Sequence, residues 1–554
     1  MAETGTTGTA STTGTAGTAG AAGPAQSTRT TTAAGSAPVD ALPRGFRSAE
    51  LGWPELERIP HPPYRIPLLG DLLGASRRTP LQDSLKYASQ LGPIFRRKVF
   101  HREFVFVGGA ELAADMADET RFAKHVGLGI ANLRPVVGDA LFTAYNHEPN
   151  WQLAHDVLAP GFSREAMAAY HPMMVDVAER LTGHWDAELA AGRAVDVPGD
   201  MTRLTLETIA RTGFGHDFGS FERSRPHPFV TAMVGTLTYA QRLNTVPSPA
   251  LLRRATRRNE ADIAFLNRTV DDLVRARRSA GGGEGDLLDR MLDTAHPTTG
   301  ERLSATNVRR QVVTFLVAGH ETTSGALSFA LHYLSLDPRL AARARAEVDR
   351  VWGDTAVPGY EQVAKLRLVR RVLDEALRLW PTAPAFAREA REDTVLAGEH
   401  PMRRGGWALV LIAMLHRDPG VWGPDAERFD PDRFDARAVR ARAPHTYKPF
   451  GTGARACIGR QFALHEAVLV LGLLLRRYEL RPDPAYRLRV TERLTLMPEG
   501  LRIRLERRTR TGDGDAGGAA AGAQERDGCE GRGGRGGRGG PGSGSGCPVR
   551  GAGD

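Results

Sequence analysis

Between residues 46 and 508 apolar residues recur mostly at helix spacing, and strictly alternating runs are few. In the longest such segment Val312, Leu316, Gly319, Thr323, Leu327 and Leu331 fall near one stripe. Ser304 can cap its start, and Asp337-Pro338 stops it. A second apolar stretch, Gln461 to Leu475, predicts a helix just after a glycine-rich loop. Shorter β-like pieces are IFRRKVF (Ile94 to Phe100), EFVFVGG (Glu103 to Gly109) and ALVLIA (Ala408 to Ala413). No repeat of about 20 to 50 residues is visible, and no glycine-rich phosphate loop follows a strand. The pattern predicts a mainly α protein, a large helical domain with a small β-rich portion, rather than a nucleotide-binding α/β fold.

Composition changes this picture only at the ends. Residues 1–45 are rich in Thr, Ala and Gly and residues 509–554 are rich in Gly and Arg, so neither stretch can bury enough surface to offset chain entropy. Two disordered tails around one folded domain, 46–508, are expected. The run Gly531 to Gly540 resembles RNA-binding Arg-Gly-Gly segments but lacks interleaved aromatics, so nucleic acid is not expected as a partner. The net charge of +9 is spread along the chain and selects no partner by itself. Cys457, Cys529 and Cys547 form no disulfide framework and have no zinc-ligand spacing, which suits a reducing compartment. The N-terminus lacks the pattern of a secretory signal, and runs such as Ala467 to Leu475 are too short to span a bilayer. A cytoplasmic protein without a membrane anchor is expected.

Candidate chemistry centres on FGTGARACIG, Phe450 to Gly459. A metal-binding cysteine must be a thiolate, which backbone N–H groups and a helix N-terminus stabilise. Gly451, Gly453 and Gly459 allow a tight turn around the sulfur of Cys457, and Arg455 supplies a cation suited to a carboxylate. A thiolate beside such an arginine describes heme iron and a heme propionate.

The motif Phe-x-x-Gly-x-Arg-x-Cys-x-Gly resembles the heme-binding signature of the cytochromes P450. The resemblance implies heme b with Cys457 as axial ligand and metal site, and it assigns Lys124, Phe450, Gly451 and Gly459 to the cofactor site. In AGHETTS (Ala318 to Ser324), Glu321 and Thr322 match the family's proton-delivery pair beside bound dioxygen. The poor helix formers there also predict a local opening of the long helix. Glu375 and Arg378 share a helix face at i, i+3. Alone they read as a solvated pair, whereas the family buries them and adds an arginine, here Arg433, in a structural role. Trp151 and His155, one turn apart, match propionate contacts, although the family usually has Arg at the second position. Taken alone, that pair has a serious alternative reading as a core Trp beside a satisfied His.

FLVAGHETTSGALSFAL, LRLWPTAPAF, KPFGTGARACIG and QFALHEA look like the heme domain of self-sufficient bacterial fatty-acid hydroxylases, from about Ile59 to about Leu505. In those enzymes a diflavin reductase is fused to the heme domain, and the expectation here is electrons from a separate ferredoxin or flavodoxin with its reductase. The resemblance assigns Arg102 and Phe106 to the channel mouth, where the family holds a fatty carboxylate with Arg and Tyr. Phe142, Leu133, Val317 and Ala383 match pocket-wall positions that would otherwise read as plain core. Arg102 alone reads equally well as a solvated arginine at a sheet edge. The expected reaction is subterminal hydroxylation of a long-chain fatty acid. The alternative is a tailoring monooxygenase of a polyketide or terpenoid. A peroxygenase is disfavoured because Glu321 and Thr322 are present, and a heme sensor would need an output domain.

Overall fold

The helical period in the middle of the chain becomes one helix, Ala305–Leu336, of 32 residues. At 1.5 Å per residue it runs about 48 Å through the molecule. It is apolar on most sides, as a helix enclosed by others must be. Val312, Leu316, Thr323, Leu327 and Leu331 are buried. Gly319 faces the helix Val197–Phe214, where a Cβ would come within 3.1 Å of Ile209 Cγ1. The Thr205 hydroxyl ties the two helices by donating to the His320 carbonyl at 2.8 Å. Ser304 Oγ accepts the Asn307 N–H at 3.1 Å, and the Asp337 carboxylate caps the following helix, Pro338–Trp352.

The expected opening at AGHETTS does not occur, since the helical backbone pattern is unbroken from 305 to 336. Thr322 Oγ1 donates to the Ala318 carbonyl at 2.9 Å and Ser324 Oγ to the Glu321 carbonyl at 3.1 Å. These hydroxyls add to the backbone ladder without replacing it, and the turn is held on the side of Val197–Phe214 by Ile209 against Gly319 and by the Thr205 hydroxyl on the His320 carbonyl.

The structure, a computed structural model, describes residues 52–72, 76, 78–100, 102–243, 246, 248–281, 283 and 285–508. The expected disordered tails, with Cys529, Cys547 and the 531–540 run, lie outside the described residues. Among those residues helices dominate and sheets are small, which is the mainly α architecture expected from the pattern. No helix among them is long and apolar enough to cross a membrane.

The largest sheet has five strands: β1 (Ile94–Val99), β2 (Arg102–Val107), β3 (Phe122–His125), β4 (Ala385–Ala390) and β5 (Trp407–Leu411). Their order is β1-β2-β5-β4-β3, antiparallel except where β2 meets β5. All three sequence-predicted β pieces belong to it. The register pairs Phe95 with Phe106, Arg97 with Phe104 and Val99 with Arg102. Opposite residues share a face, so these six side chains stand on one side of the hairpin. Arg96 stands on the other side and donates to Glu103 at 2.9 Å.

On the helix Arg367–Leu379, Glu375 and Arg378 are fully enclosed and meet at 2.7 Å. Arg378 also donates to the carbonyls of His416, Ala426 and Arg428, and Arg433 Nε approaches Glu375 at 3.7 Å. This cluster joins the helix to the segment leading into the cysteine loop.

Candidate active site

A cavity of about 500 Å³ is bounded by the central helix, the five-stranded sheet and the loop holding Cys457. The loop's path follows from its glycines. Gly451 and Gly453 have φ of +75° and +66°, a region that side chains disfavour. A Cβ on Gly453 would also fall 2.1 Å from the Glu119 carboxyl carbon. That carboxylate accepts the Ala454 N–H at 2.9 Å, and the Cys457 N–H donates to the Phe450 carbonyl at 2.9 Å. Gly459 is the N-cap of the helix Arg460–Arg477.

Cys457 is open to the cavity and otherwise enclosed by protein. Burial raises its thiol above the ordinary range, while the Gly459 N–H and Arg460 act in the opposite direction. A coordinated metal would overcome the remainder, because it deprotonates a ligating thiol outright.

The adjacent wall carries positive charge. The Arg455 guanidinium lies 4.0 Å over the Trp151 ring, and it donates to the carbonyls of Ala144 and Tyr145, at 3.3 and 3.4 Å. Lys124 Nζ, from β3, donates to the Phe142 carbonyl at 2.5 Å. Burial lowers Lys124 to about 7, with Arg455 adding to the effect, and burial lowers Arg455 to about 10 despite Glu148. Neither cation meets a carboxylate among the described residues. His155 stacks on Trp151 with ring centres 5.0 Å apart, and its Nδ1 meets Asp156 at 3.1 Å. A thiol, two cations lacking a counter-charge and an aromatic wall fit a flat, apolar, dianionic macrocycle with an open metal position, which is the chemistry of heme.

On the central helix, Thr322 lines this cavity and Glu321 does not. Glu321 lines a second cavity of about 340 Å³, where it accepts from Arg493 Nη1 at 3.2 Å and Thr495 Oγ1 at 2.8 Å. Arg493 lines both cavities. The acid and the alcohol, neighbours in sequence, thus serve two spaces separated by one arginine.

Of the other sequence-predicted residues, Phe450, Gly451, Phe106, Phe142 and Ala383 line the main cavity. Gly459, Arg102, Leu133 and Val317 are not among its lining. Arg102 Nη1 donates to the Leu243 carbonyl at 2.8 Å, Leu133 is buried in the main core, and Val317 packs against that core. Sequence reasoning missed Glu119, Arg97, Glu492 and Arg493. Only Arg97 had a local signal, a charge at the same period as the apolar Phe95 and Val99 of its β piece.

The cytochrome P450 family profile matches residues 60–503. The chain is 46% identical over 463 residues to a bifunctional cytochrome P450/NADPH–P450 reductase of Bacillus cereus, covering 82% of this chain and 43% of that protein. It is 45% identical over 460 residues to one of Bacillus subtilis, with the same coverage of each. A self-sufficient cytochrome P450 monooxygenase of Exserohilum turcicum is 36% identical over 455 residues, covering 81% and 42%. The chain therefore spans less than half the length of the curated relatives it matches.

Proposed function

Since the chain belongs to the cytochrome P450 family, we propose that it is a heme-dependent monooxygenase that hydroxylates long-chain fatty acids near, but not at, the chain end. The observation that carries this reading is the Cys457 thiol open to a mostly apolar cavity beside two cations that lack counter-charges among the described residues. Heme b, bound through Cys457, would supply dioxygen activation and insertion of one oxygen atom into a C–H bond. Overall, R–H, O2, two electrons and two protons give R–OH and water.

The chain's own residues hold and supply. Arg455 and Lys124 bind the two propionates, with Trp151 and His155 completing that wall, and both cations regain the counter-charge they lack. The Gly459 N–H and Arg460 support the thiolate. Phe106, Phe142 and Ala383 exclude water around an alkyl chain. Protons approach through the second cavity, where Arg493 and Thr495 orient Glu321, and Thr322 Oγ1 holds a proton at the wall of the main cavity. An electron donor of the ferredoxin or flavodoxin type, served by its own reductase, suits the exposed positive charge of Arg460 next to Cys457.

The test incubates the heme-loaded protein with a ferredoxin, its reductase, reduced nicotinamide and fatty acids of graded length, with products identified by mass spectrometry. Subterminal hydroxy acids, formed only when the ferredoxin is present and more slowly in high salt, are expected. Fatty acids returned unchanged while a polyketide or terpenoid is hydroxylated would reverse the substrate assignment. Full turnover with reduced nicotinamide alone would reverse the partner assignment.

A further inference from the structure

Two arginines lie on the inward face of the β1–β2 hairpin, and they have opposite fates. Arg102 is paired with Val99 at the end of the ladder and gives Nη1 to the Leu243 carbonyl, outside the cavity lining. Arg97 is two positions further in, about 7 Å along the strand, opposite Phe104. It is 4% exposed and lines the cavity together with Val99, Phe104 and Phe106.

The Arg97 guanidinium is only partly satisfied. Nη1 donates to Ser84 Oγ at 2.8 Å and to the Pro80 carbonyl at 3.2 Å, and the group lies 5.2 Å from the Tyr87 ring centre. Among the described residues, the buried Nε has no hydrogen-bond partner. The acids around it are engaged elsewhere. Asp71 holds Arg65 at 3.0 Å and the Lys98 N–H at 2.6 Å, and Asp83 holds Lys86 at 3.0 Å. Glu492, at the same end of the cavity, accepts the backbone N–H groups of Leu81 and Gln82. A buried cation left in this condition is costly unless an anion reaches it.

Heme cannot be that anion if it sits at the Cys457 wall. Lys124 stands on β3 and Arg97 on β1, the two edges of the five-stranded sheet. Four strand spacings separate them, about 19 Å. One end of the cavity therefore offers cations to the cofactor, and the other offers Arg97 to whatever extends away from it, since Arg493, which also lines the cavity, is held by Glu321 at 3.2 Å.

We infer that Arg97, rather than Arg102, anchors the carboxylate of an amphipathic substrate, with the apolar chain running from β1 toward Cys457. This rests on the fatty-acid reading of the same cavity. Nε and the free Nη protons form a fork suited to a carboxylate, and Phe104 and Phe106 flank the first methylenes.

The experiment is calorimetric titration of the heme-loaded protein with dodecanoate and with 1-dodecanol. Arg97→Met should weaken dodecanoate about tenfold or more and 1-dodecanol less than about twofold, the difference made by one charge-assisted bond. Arg97→Lys should recover most of the loss, and Arg102→Ala should leave both ligands within about twofold. If Arg97→Met does not fold, Arg97→Gln, which keeps a donor for Ser84 and Pro80, carries the same expectation. Equal losses for acid and alcohol, or a selective loss in Arg102→Ala and none at Arg97, overturn the inference while leaving fatty acids as ligands. Binding of neither compound by the unsubstituted protein overturns the fatty-acid reading and this anchor with it.

Discussion

Arg378 and Arg455 are both held inside the protein, yet Arg378 meets Glu375 at 2.7 Å and three backbone carbonyls, while Arg455 meets two carbonyls at 3.3 and 3.4 Å and, among the described residues, no carboxylate. A buried charge is tolerated when its hydrogen bonds and its counter-charge come from the fold itself. Arg378 satisfies that condition without any ligand, so its task is to join the helix Arg367–Leu379 to the chain ahead of the cysteine loop. Arg455 and Lys124 do not satisfy it, and each is lowered by burial. Cations completed by the fold mark architecture, and cations left incomplete at a cavity wall mark the place of an anion.

The comparison is tested most severely at its centre. Cys457→Ala should remove all hydroxylation and the red-shifted carbon monoxide band of thiolate-ligated heme, while thermal unfolding of the heme-free protein stays close to the parent. The loop is closed by the backbone bond from Cys457 to Phe450, which survives the substitution. A retained band would mean another ligand. Next in size, Glu375→Ala leaves Arg378 charged and enclosed, and should cost about 3–5 kcal/mol in denaturant unfolding. A loss below about 1 kcal/mol would show that the cluster is not the fold's own.

Thr322→Ala comes third. It should lower the rate of product formation about a hundredfold, with heme and substrate affinity nearly unchanged, and the measurement is product formed per nicotinamide consumed. Unchanged coupling would remove Thr322 from proton transfer. Arg455→Leu should reverse the pattern of Glu375→Ala. Stability of the heme-free protein should hold or rise, whereas heme retention, followed by transfer to apomyoglobin, should weaken about tenfold.

The smallest effect concerns pH. Lys124 in the heme-free protein titrates near 7, against 10.5 for the ordinary side chain. Between these values the unfolded chain binds more protons than the folded one, so stability rises with pH across that window. Below about pH 7 the full penalty of the buried charge is present. Lys124→Met should therefore melt higher than the parent at pH 6, with the gap closing toward pH 10, and heme-loaded protein should lack the difference. A gap independent of pH would assign the effect to packing.

Features that depend on neighbours a few residues away were determined by the sequence itself. The long helix from Ser304 to Asp337, the three strands, the turn around Cys457 and the shared helix face of Glu375 and Arg378 all follow from spacing, caps and glycines. Features that depend on surfaces meeting were decided only by the tertiary structure. Glu321 meets Arg493 across 172 residues, and Glu119 caps the cysteine loop across 335. The helix around Thr322 stays closed, against its local composition, with Ile209 packed against Gly319 and the Thr205 hydroxyl bonded to the His320 carbonyl from a segment more than a hundred residues away. Arg97 and Arg102 are equivalent by period on one hairpin face, and spacing cannot tell them apart. What separates them is that the Leu243 carbonyl lies within reach of one, while the other lies two positions deeper with its Nε unpaired among the described residues. Burial and pairing are properties of two surfaces at once, and a linear pattern specifies only one of them.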